Sequence, residues 1–404
     1  MNVALGLPAT RESGVVTMPS LQEILQIHGE RLRAKHRFPK WVLVAMDALS
    51  RCRTAAMGGH IERCPDGHYE HHWYNSCKHR ACPKCRSILR ARWHEKQMAR
   101  LLACPHHHVI FTLPEELNIL WRYNRELMIE LLFHVVRDTL FVLLGDERYG
   151  GIVPGLLCSL HTWGRNLCLH PHLHCIITAF GFRLDGTWGE PKKANLLPYL
   201  VVRELYRGKM IAAIRDALEA GKLVLPPSLL VFQLQNTLNE LGRQSWNVEI
   251  RERYSSAKGV LSYLARYVGG GCISDSQIKS SEAESVSFTY LDHRDETTKE
   301  MRLSPEAFLM RFLQHVPPPR KKLVRYYGLY AEHNEKLLNE ARAALGQARA
   351  ERPQFLAWQA FLSKIGRESQ SLCPVCGKPL VLGRRLRRWS TYHPGIEGPH
   401  EAAA

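Results

Sequence analysis

Apolar residues recur every three to four positions in several stretches of the chain, and this spacing predicts amphipathic helices. The stretches cover residues 21–50, 115–143, 199–220, 301–316 and, as the longest, about 330–366. Pro39 divides the first stretch, and three prolines at 317–319 end the fourth. Residues 1–20 show no sustained period, so we expect a flexible arm there.

Shorter apolar runs that are rich in β-branched residues predict strands. They cover residues 107–113, 155–163, 172–180, 246–250 and 285–291. The runs alternate with the helical stretches, and several of them are expected to pair as antiparallel neighbours. This order predicts the α+β class, with an antiparallel sheet in the core.

The charge of the chain points to a polyanionic partner. Its 404 residues include 55 Lys and Arg against 38 Asp and Glu, which gives a net charge of +17 and a pI near 9.5. Each phosphate that such a protein neutralises releases condensed counterions, so nucleic acid is favoured. A basic protein that binds nucleic acid only loosely is the alternative.

Two further features concern location and redox state. No apolar run approaches the roughly 20 residues that span a bilayer, and the N-terminus lacks a basic start followed by an apolar core. We therefore expect a cytoplasmic, nucleoid-associated protein with no membrane partner. In that compartment the 12 cysteines are expected to be thiols or metal ligands rather than disulfides.

Cysteines concentrate between residues 52 and 85 in a pattern typical of structural zinc. Zinc takes four soft or borderline ligands, and a C-x-x-C pair brings two thiolates to one ion around a tight turn. The candidate ligands are Cys64, His68, Cys77, Cys82 and Cys85. Five candidates for four places leave either His68 or Cys77 outside the coordination sphere, and Cys52 and His60 are outer candidates. Reduced cysteines without metal are the alternative.

A second C-x-x-C pair, Cys373 and Cys376, lies near the C-terminus. It has no obvious partner pair, and His393 and His400 are the nearest histidines that follow it. A second bound zinc at these cysteines is therefore left open.

The stretch from His170 to Ile177 carries the clearest candidate for catalysis. His172 and His174 alternate on a predicted strand and so share one face of it. Two neutral imidazoles held side by side are ligands for a divalent metal. The third ligand stays open between His161 and His170, with His107 or His108 as further candidates.

Two phenols follow downstream at helical spacing. Tyr263 and Tyr267 are four residues apart, so they share one face of a predicted helix over 258–268, which the glycines at 269–271 end. Each motif by itself is often ordinary packing. Their order, together with the basic charge and the cysteines, favours metal-assisted DNA strand cleavage by a tyrosine nucleophile.

With these motifs in place, the chain resembles the two-tyrosine HUH transposases of rolling-circle insertion sequences, from about Arg51 to Leu329. The matching blocks are residues 52–54, 75–85, 108–114, 161–165, 170–174, 263–268, 312–317 and 325–329. One departure is Gly67, where many relatives have a cysteine, and it leaves the fourth zinc ligand open.

The resemblance implies a relaxase-like core that nicks and rejoins single-stranded DNA at transposon ends and at target DNA. His172 and His174 would be metal ligands, and Tyr263 and Tyr267 would be nucleophiles that form 5′-phosphotyrosine. The implied cofactors are structural Zn²⁺ and catalytic Mg²⁺ or Mn²⁺. The expected domains are an arm (1–20), a helical zinc-binding DNA-recognition domain (21–104), the HUH core (105–275) and a mostly helical C-terminal extension with a strand and the C-x-x-C pair (276–404).

Basic clusters that include aromatic residues are the expected DNA contacts. The first cluster includes Lys78, Arg80, Lys84 and Arg86, and the second includes Arg325. A third cluster spans residues 384–389. For each cluster a solvated basic surface is the alternative. Two other functions stay open, namely a non-catalytic zinc-dependent DNA-binding protein and a replication initiator or relaxase with the same chemistry. The sequence does not indicate an oligomeric state.

Overall fold

The computed structural model describes residues 19–189, 197–254, 271–292, 295–350, 356, 360–361, 363 and 372–388, without the side chains of 86–90 and 252–253. Most of the predicted arm and the whole predicted tyrosine helix, with Tyr263 and Tyr267, lie outside these residues. Much of the predicted helix over 330–366 also lies outside them.

The described helices within 21–50, 118–145, 199–219 and 305–313 follow the predicted apolar stretches, whereas Val231–Leu241 lies outside all of them. The helices of the described chain are Leu21–Lys35, Lys40–Ser50, Pro83–Arg100, Asn118–Tyr123, Arg125–Gly145, Tyr199–Glu219, Val231–Leu241, Pro305–Leu313 and Glu335–Ala344. Ser20 begins the first helix as a capping box with Glu23, and Pro39 separates it from the second helix.

The largest sheet is antiparallel and forms the centre of the molecule. Its strands are β3 (His106–Thr112), β4 (Ile152–Trp163), β5 (Leu169–Arg183), β6 (Trp188–Gly189), β7 (Val248–Tyr254) and β11 (Val324–Gly328). The strand order is β11-β4-β5-β3-β7, and β6 pairs with β5. The predicted α+β class with an antiparallel core is confirmed. The edge strand β11 comes from the segment that the sequence assigned to the C-terminal extension.

Two three-stranded sheets accompany the central one. One consists of β1 (Gly59–Arg63), β2 (Glu70–Tyr74) and β12 (Val381–Leu386), in the order β12-β1-β2. The other consists of β8 (Ile278–Ser281), β9 (Val286–Leu291) and β10 (Thr298–Leu303), in the order β10-β9-β8. The first sheet therefore joins the N-terminal region to a strand near the C-terminus.

The stretch 301–316 contains a helix, as predicted, whereas the predicted helix over 330–366 is partly wrong. Residues 301–303 end strand β10, and the helix begins only at Pro305, where the Ser304 hydroxyl accepts a hydrogen bond from the Ala307 amide at 3.2 Å. The predicted helix over 330–366 is interrupted, because Gly346 has a φ of +66° and residues 347–350 are not helical. Local periodicity carried the prediction over 330–366 past the left-handed glycine that follows the helix.

The two faces of the central sheet are covered differently. Leu173, Cys175 and Ile177 face helices Arg125–Gly145 and Tyr199–Glu219 in the main hydrophobic core. Ile176, on the opposite face, packs with Leu329, Tyr330 and Leu338 in a smaller core. That smaller core covers only one end of its face, and His174 and His172 follow at the other end of the same face. No helix in the described chain is long and apolar enough to cross a membrane.

A buried hydrogen-bond relay fixes the covered end. The His106 Nδ1–H donates to the Cys104 carbonyl at 2.8 Å, so its Nε2 accepts from the Tyr330 hydroxyl at 2.7 Å. The Tyr330 oxygen in turn accepts from the Leu102 amide at 3.2 Å. Burial lowers the pKa of His106 to about 4, which keeps this imidazole neutral at physiological pH.

We expect Tyr330→Phe to lower the free energy of unfolding by about 1–3 kcal/mol, because it leaves a buried imidazole nitrogen and a buried amide without their partner. Urea denaturation followed by fluorescence measures this. The matched control is Tyr123→Phe, since that side chain is half exposed and should change stability by less than about 0.5 kcal/mol. Equal stability of the two variants would contradict the relay.

Candidate active site and metal centres

Three histidines from two neighbouring strands form the candidate catalytic metal site. His172 and His174 lie on β5, and His161 on β4 is the register partner of His172. The three residues bring one ring nitrogen each to within 4.8 Å of the others. His161 and His174 are buried, with 2% and 4% of their surface exposed. Antiparallel pairing therefore adds a third imidazole to the pair that the sequence places on one strand.

Hydrogen bonds select the coordinating nitrogen of the β5 histidines. The His172 Nδ1–H donates to the His170 carbonyl at 2.7 Å, which leaves Nε2 with its lone pair. His174 Nδ1 lies 3.0 Å from His108 Nε2, which leaves Nε2 of His174 for a cation. Such a bond on the far nitrogen is the usual way in which proteins orient a histidine ligand.

Burial keeps these imidazoles neutral. It lowers the pKa of His172 to about 4, and burial together with the nearby His161 holds the pKa of His174 well below its usual range. A metal binds only the neutral form of imidazole. Donor type, protonation and spacing at this site all fit a divalent cation.

The other candidates for the third ligand lie in different places. The His170 side chain is exposed, and its ring centroid is 5.1 Å from that of His172. His108 takes the supporting position behind His174. His107 pairs in register with Ile177, which faces the helices, so it points to the opposite side of the sheet.

The three histidines line an open cavity of about 390 Å³ that carries charged and aromatic groups. Arg165 and Arg251 are its cationic residues, and Trp163 and Tyr290 are aromatic. Such residues are suited to phosphates and unstacked bases, respectively. Arg251, on β7, precedes the segment that holds Tyr263 and Tyr267, and Gly271, which follows that segment, lines the cavity too.

A buried histidine near the site anchors the loop that connects β4 and β5. The His315 Nε2–H donates to the Leu167 carbonyl at 3.1 Å, and its Nδ1 accepts from the Thr162 hydroxyl at 3.1 Å. Gln314 and Arg311 donate to the Leu167 and Asn166 carbonyls at 3.1 and 3.0 Å. The end of helix Pro305–Leu313 and the two residues that follow it thereby hold the loop between His161 and His172.

Four cysteines in the N-terminal region form a compact thiol cluster. They are Cys52, Cys77, Cys82 and Cys85. Their Sγ atoms are separated by 3.5 Å (Cys52 and Cys85), 3.6 Å (Cys77 and Cys85) and 3.6 Å (Cys52 and Cys82). A tetrahedron with Zn–S bonds of about 2.3 Å has edges of about 3.8 Å, so the cluster fits zinc.

This grouping differs from the predicted single set of ligands. Cys52, expected only as an outer candidate, takes the fourth position, while Cys64 and His68 lie in a separate group with Cys373 and Cys376. Cys64 and His68 lie at the turn between β1 and β2, whereas Cys52 and Cys77 of the first cluster precede β1 and follow β2 at the open end of this hairpin. Five strand residues at about 3.3 Å each place that turn about 16 Å farther along the hairpin.

The basic residues expected to contact DNA have varied surroundings. Lys78 is exposed, whereas Arg80 donates to the Lys321 carbonyl at 2.5 Å and also to that of Pro318. Lys84 donates to the Gln22 side chain. The Arg86 side chain lies outside the described residues. DNA binding by these residues stays a prediction.

Arg325 attaches an edge strand of the central sheet to a helix. Its guanidinium forms two hydrogen bonds of 2.8 Å with Glu130 and lies over the Phe133 ring, 4.1 Å from the centroid. The ion pair lowers the pKa of Glu130. These contacts hold β11 to helix Arg125–Gly145, and a DNA contact by Arg325 stays a prediction.

Sequence reasoning missed several residues whose roles depend on pairing. Arg251 and Arg165 carried no motif of their own, although Arg165 belongs to the block 161–165. Their signal was only their position next to strands that lead into the site. Cys52 could have been favoured by its closeness to the cluster in sequence.

Comparisons with known proteins match two parts of the chain to family models of transposases. A family model described as "Transposase zinc-binding domain" matches residues 24–113, and a model described as "Putative transposase" matches residues 155–337. The chain is 34% identical to the "Putative transposase y4qJ" of Sinorhizobium fredii (strain NBRC 101917 / NGR234) over 369 residues, which cover 89% of this chain and 93% of the relative.

A second relative is the "Transposase for insertion sequence element IS801" of Pseudomonas savastanoi pv. phaseolicola, at 31% identity over 69% of this chain and 68% of the relative. Among solved structures, the conjugative relaxase TrwC in complex with oriT DNA aligns with 40% of this chain and 71% of its own, at 11% identity and a TM-score of 0.22. A similarity of that size carries no argument about fold. The family models and the two relatives show that the chain belongs to the family of insertion-sequence transposases with an N-terminal zinc-binding domain, proteins whose partner is DNA.

Proposed function

We propose that this transposase nicks and rejoins single-stranded DNA at the ends of its element and at the target, in rolling-circle-type transposition. The proposal rests mainly on the three clustered imidazoles, which open into a cavity lined by arginines and aromatic rings. A phosphodiester that enters this cavity meets metal ligands, two cationic side chains and rings on which splayed bases can stack.

The nucleophiles we propose are Tyr263 and Tyr267. Both belong to the segment between Arg251 and Gly271, and these two flanking residues line the histidine cavity. A phenol with a pKa of about 10 is a weak nucleophile at neutral pH, so it needs positive charge near the phosphate. Mg²⁺ or Mn²⁺ bound by the histidines would supply such charge as a Lewis acid.

The chain's own residues then account for the remaining steps. A tyrosine oxygen bonds to phosphorus, the P–O3′ bond breaks, and the departing O3′ takes up a proton to give a 3′-hydroxyl and a 5′-phosphotyrosine. In the rejoining step a 3′-hydroxyl attacks that phosphotyrosine, and the tyrosine regains its proton. The number of phosphoester bonds is conserved, so strand joining needs no nucleotide hydrolysis. Two tyrosines allow one strand to stay linked while the second is cut.

We further propose that the N-terminal zinc-binding domain, at about residues 21–104, recognises the DNA ends, and that β11 of the C-terminal extension (276–404) completes the sheet of the catalytic core at about 105–275. Exposed Lys78 beside the four-cysteine cluster supports this assignment, since lysines neutralise phosphates. In this arrangement the zinc domain selects the DNA and the histidine cavity cleaves it.

The double variant Tyr263→Phe, Tyr267→Phe should lose the covalent protein–DNA adduct. The wild type, incubated with single-stranded transposon-end oligonucleotide and Mg²⁺, should give an adduct that survives denaturing gel electrophoresis. Phenylalanine lacks the attacking oxygen, so its adduct should be undetectable while DNA binding stays within about 3-fold. The control Tyr199→Phe changes an exposed tyrosine away from the cavity. An adduct formed by the double variant would overturn the nucleophile assignment.

His161→Ala should slow adduct formation by at least about 100-fold, since even residues that only support a metal ligand are worth about 10–100-fold. The matched variant is His170→Ala, which keeps the backbone carbonyl that orients His172 and should cost less than about 10-fold. Mn²⁺ binding, measured by calorimetry on the folded proteins, should weaken only in His161→Ala. The reverse ranking would identify His170 as the ligand.

A further inference from the structure

Two tight turns of similar design bring their side chains close together although they lie far apart in sequence. In the first turn, the Gly67 amide donates to the Cys64 carbonyl at 3.0 Å, and the Cys64 amide donates to the Tyr69 carbonyl at 2.8 Å. In the second, the Gly377 amide donates to the Cys373 carbonyl at 2.9 Å, and the Cys373 amide donates to the Lys378 carbonyl at 2.8 Å.

Both turns depend on a left-handed glycine, with a φ of +76° at Gly67 and +71° at Gly377. Each turn also supplies two metal-binding side chains. The first turn offers Cys64 and His68, and the second offers Cys373 and Cys376. A zinc knuckle has this form, with a cysteine before a tight turn and a second ligand at or after its end.

The four side chains fit one tetrahedral ion. All four ligand atoms lie within 4.8 Å of one another. The Cys64 Sγ is 3.5 Å from the Cys376 Sγ and 3.8 Å from the His68 Nδ1. Zn–S bonds of about 2.3 Å and a Zn–N bond of about 2.0 Å give tetrahedral edges of about 3.5–3.8 Å. Three sulfurs and one imidazole are a common donor set for structural zinc.

Among the described residues, little else holds the turns together. The hydrophobic cluster in this part of the described chain has Cys64, Cys373 and Leu380 as its buried members, with Tyr69 and Cys376 packed against it. One ion pair, Lys378 Nζ to Asp66 Oδ2 at 2.7 Å, joins the two turns, and its lysine is largely exposed. A core of this size is far too small to stabilise a fold, and structural metals usually substitute for one in such cases.

The three-stranded sheet β12-β1-β2 also connects the two regions of the chain that carry these turns. Strand β12 follows the second turn and pairs antiparallel with β1, in a register that sets Arg63 opposite Val381 and Gly59 opposite Leu386. Two knuckles attached to a three-stranded antiparallel sheet resemble a zinc ribbon, assembled here from segments that lie 312 residues apart at Cys64 and Cys376.

We propose that Cys64, His68, Cys373 and Cys376 bind a second structural Zn²⁺, which closes a zinc ribbon split between the two ends of the chain. The two family models end at residues 113 and 337, so neither covers the second knuckle. The ion fastens β12, with Arg384 and Arg385, and the following Arg387 and Arg388 to the N-terminal domain. The inference does not depend on the proposed cleavage chemistry.

Zinc content of the full-length protein tests the proposal. We expect two zinc ions per wild-type chain by plasma mass spectrometry after dialysis, and one in each of Cys64→Ser, Cys373→Ser and the double variant Cys64→Ser, Cys373→Ser. Equal losses in the single and double variants mean that both cysteines bind the same ion. Cys168→Ser, an exposed cysteine outside the described ligand groups, should retain two.

His68 provides a control against simple misfolding. His68→Ala should keep one ion, whereas His68→Cys replaces the imidazole by a thiolate and should keep two. In the Co²⁺-substituted protein, His68→Cys should add one cysteine to the thiolate charge-transfer absorption in the near ultraviolet. Cys52→Ser should lose the other ion, so that a combination of Cys52→Ser with Cys373→Ser has none.

Three results would overturn the split ribbon. They are one zinc in the wild type, two zinc ions retained by Cys373→Ser, or an ion that remains at Cys373 and Cys376 when Cys64 and His68 are both replaced. The last result would mean that other groups complete the C-terminal pair.

Discussion

The antiparallel pairing of β4 with β5 is the interaction on which the site depends. It sets His161 opposite His172 and Ser159 opposite His174, so a third imidazole joins the two that strand alternation already places on one face. The opposite face of the same strands is fully apolar and packs on two long helices. A slip of one residue in this register would move the histidines into that core and Leu173 into the cavity. The burial of the apolar face therefore fixes the geometry of the three candidate metal ligands.

Other parts of the chain support this pair of strands from both ends. Tyr330 and His106 fasten the apolar end, and His315 holds the connecting loop by the Leu167 carbonyl and the Thr162 hydroxyl. Each relay uses a buried histidine whose pKa burial lowers, to about 4 for His106 and to about 3 for His315. His106 and His315 serve as buried hydrogen-bonding groups. His161, His172 and His174 face the cavity instead, and their position suits them to metal binding. Burial and a low pKa alone do not distinguish a hydrogen-bonding histidine from a candidate metal ligand.

The N-terminal and C-terminal regions are closed on each other rather than arranged as successive modules. Strand β11 completes the edge of the central sheet, β12 completes the small N-terminal sheet, and helix Pro305–Leu313 packs in the core that contains Cys52, Cys82 and Cys85. Chain segments after residue 300 thus stabilise both the zinc-binding region and the histidine site. This closure couples the N-terminal zinc-binding region to the part of the chain that carries the three histidines.

Much of the candidate site could be predicted from local sequence, because its signals have short range. The alternation of His172 and His174, the C-x-x-C pairs, the apolar periods of the long helices and the basic charge are all set within a few residues or by composition. What only the tertiary structure decided concerns partners that lie far apart in the chain. His161 rather than His170 joins the pair, Cys52 rather than Cys64 completes the first thiol cluster, and Cys64 lies with Cys373 and Cys376. Ligand types are encoded locally, whereas strand pairing and core burial across hundreds of residues determine which ligands share an ion.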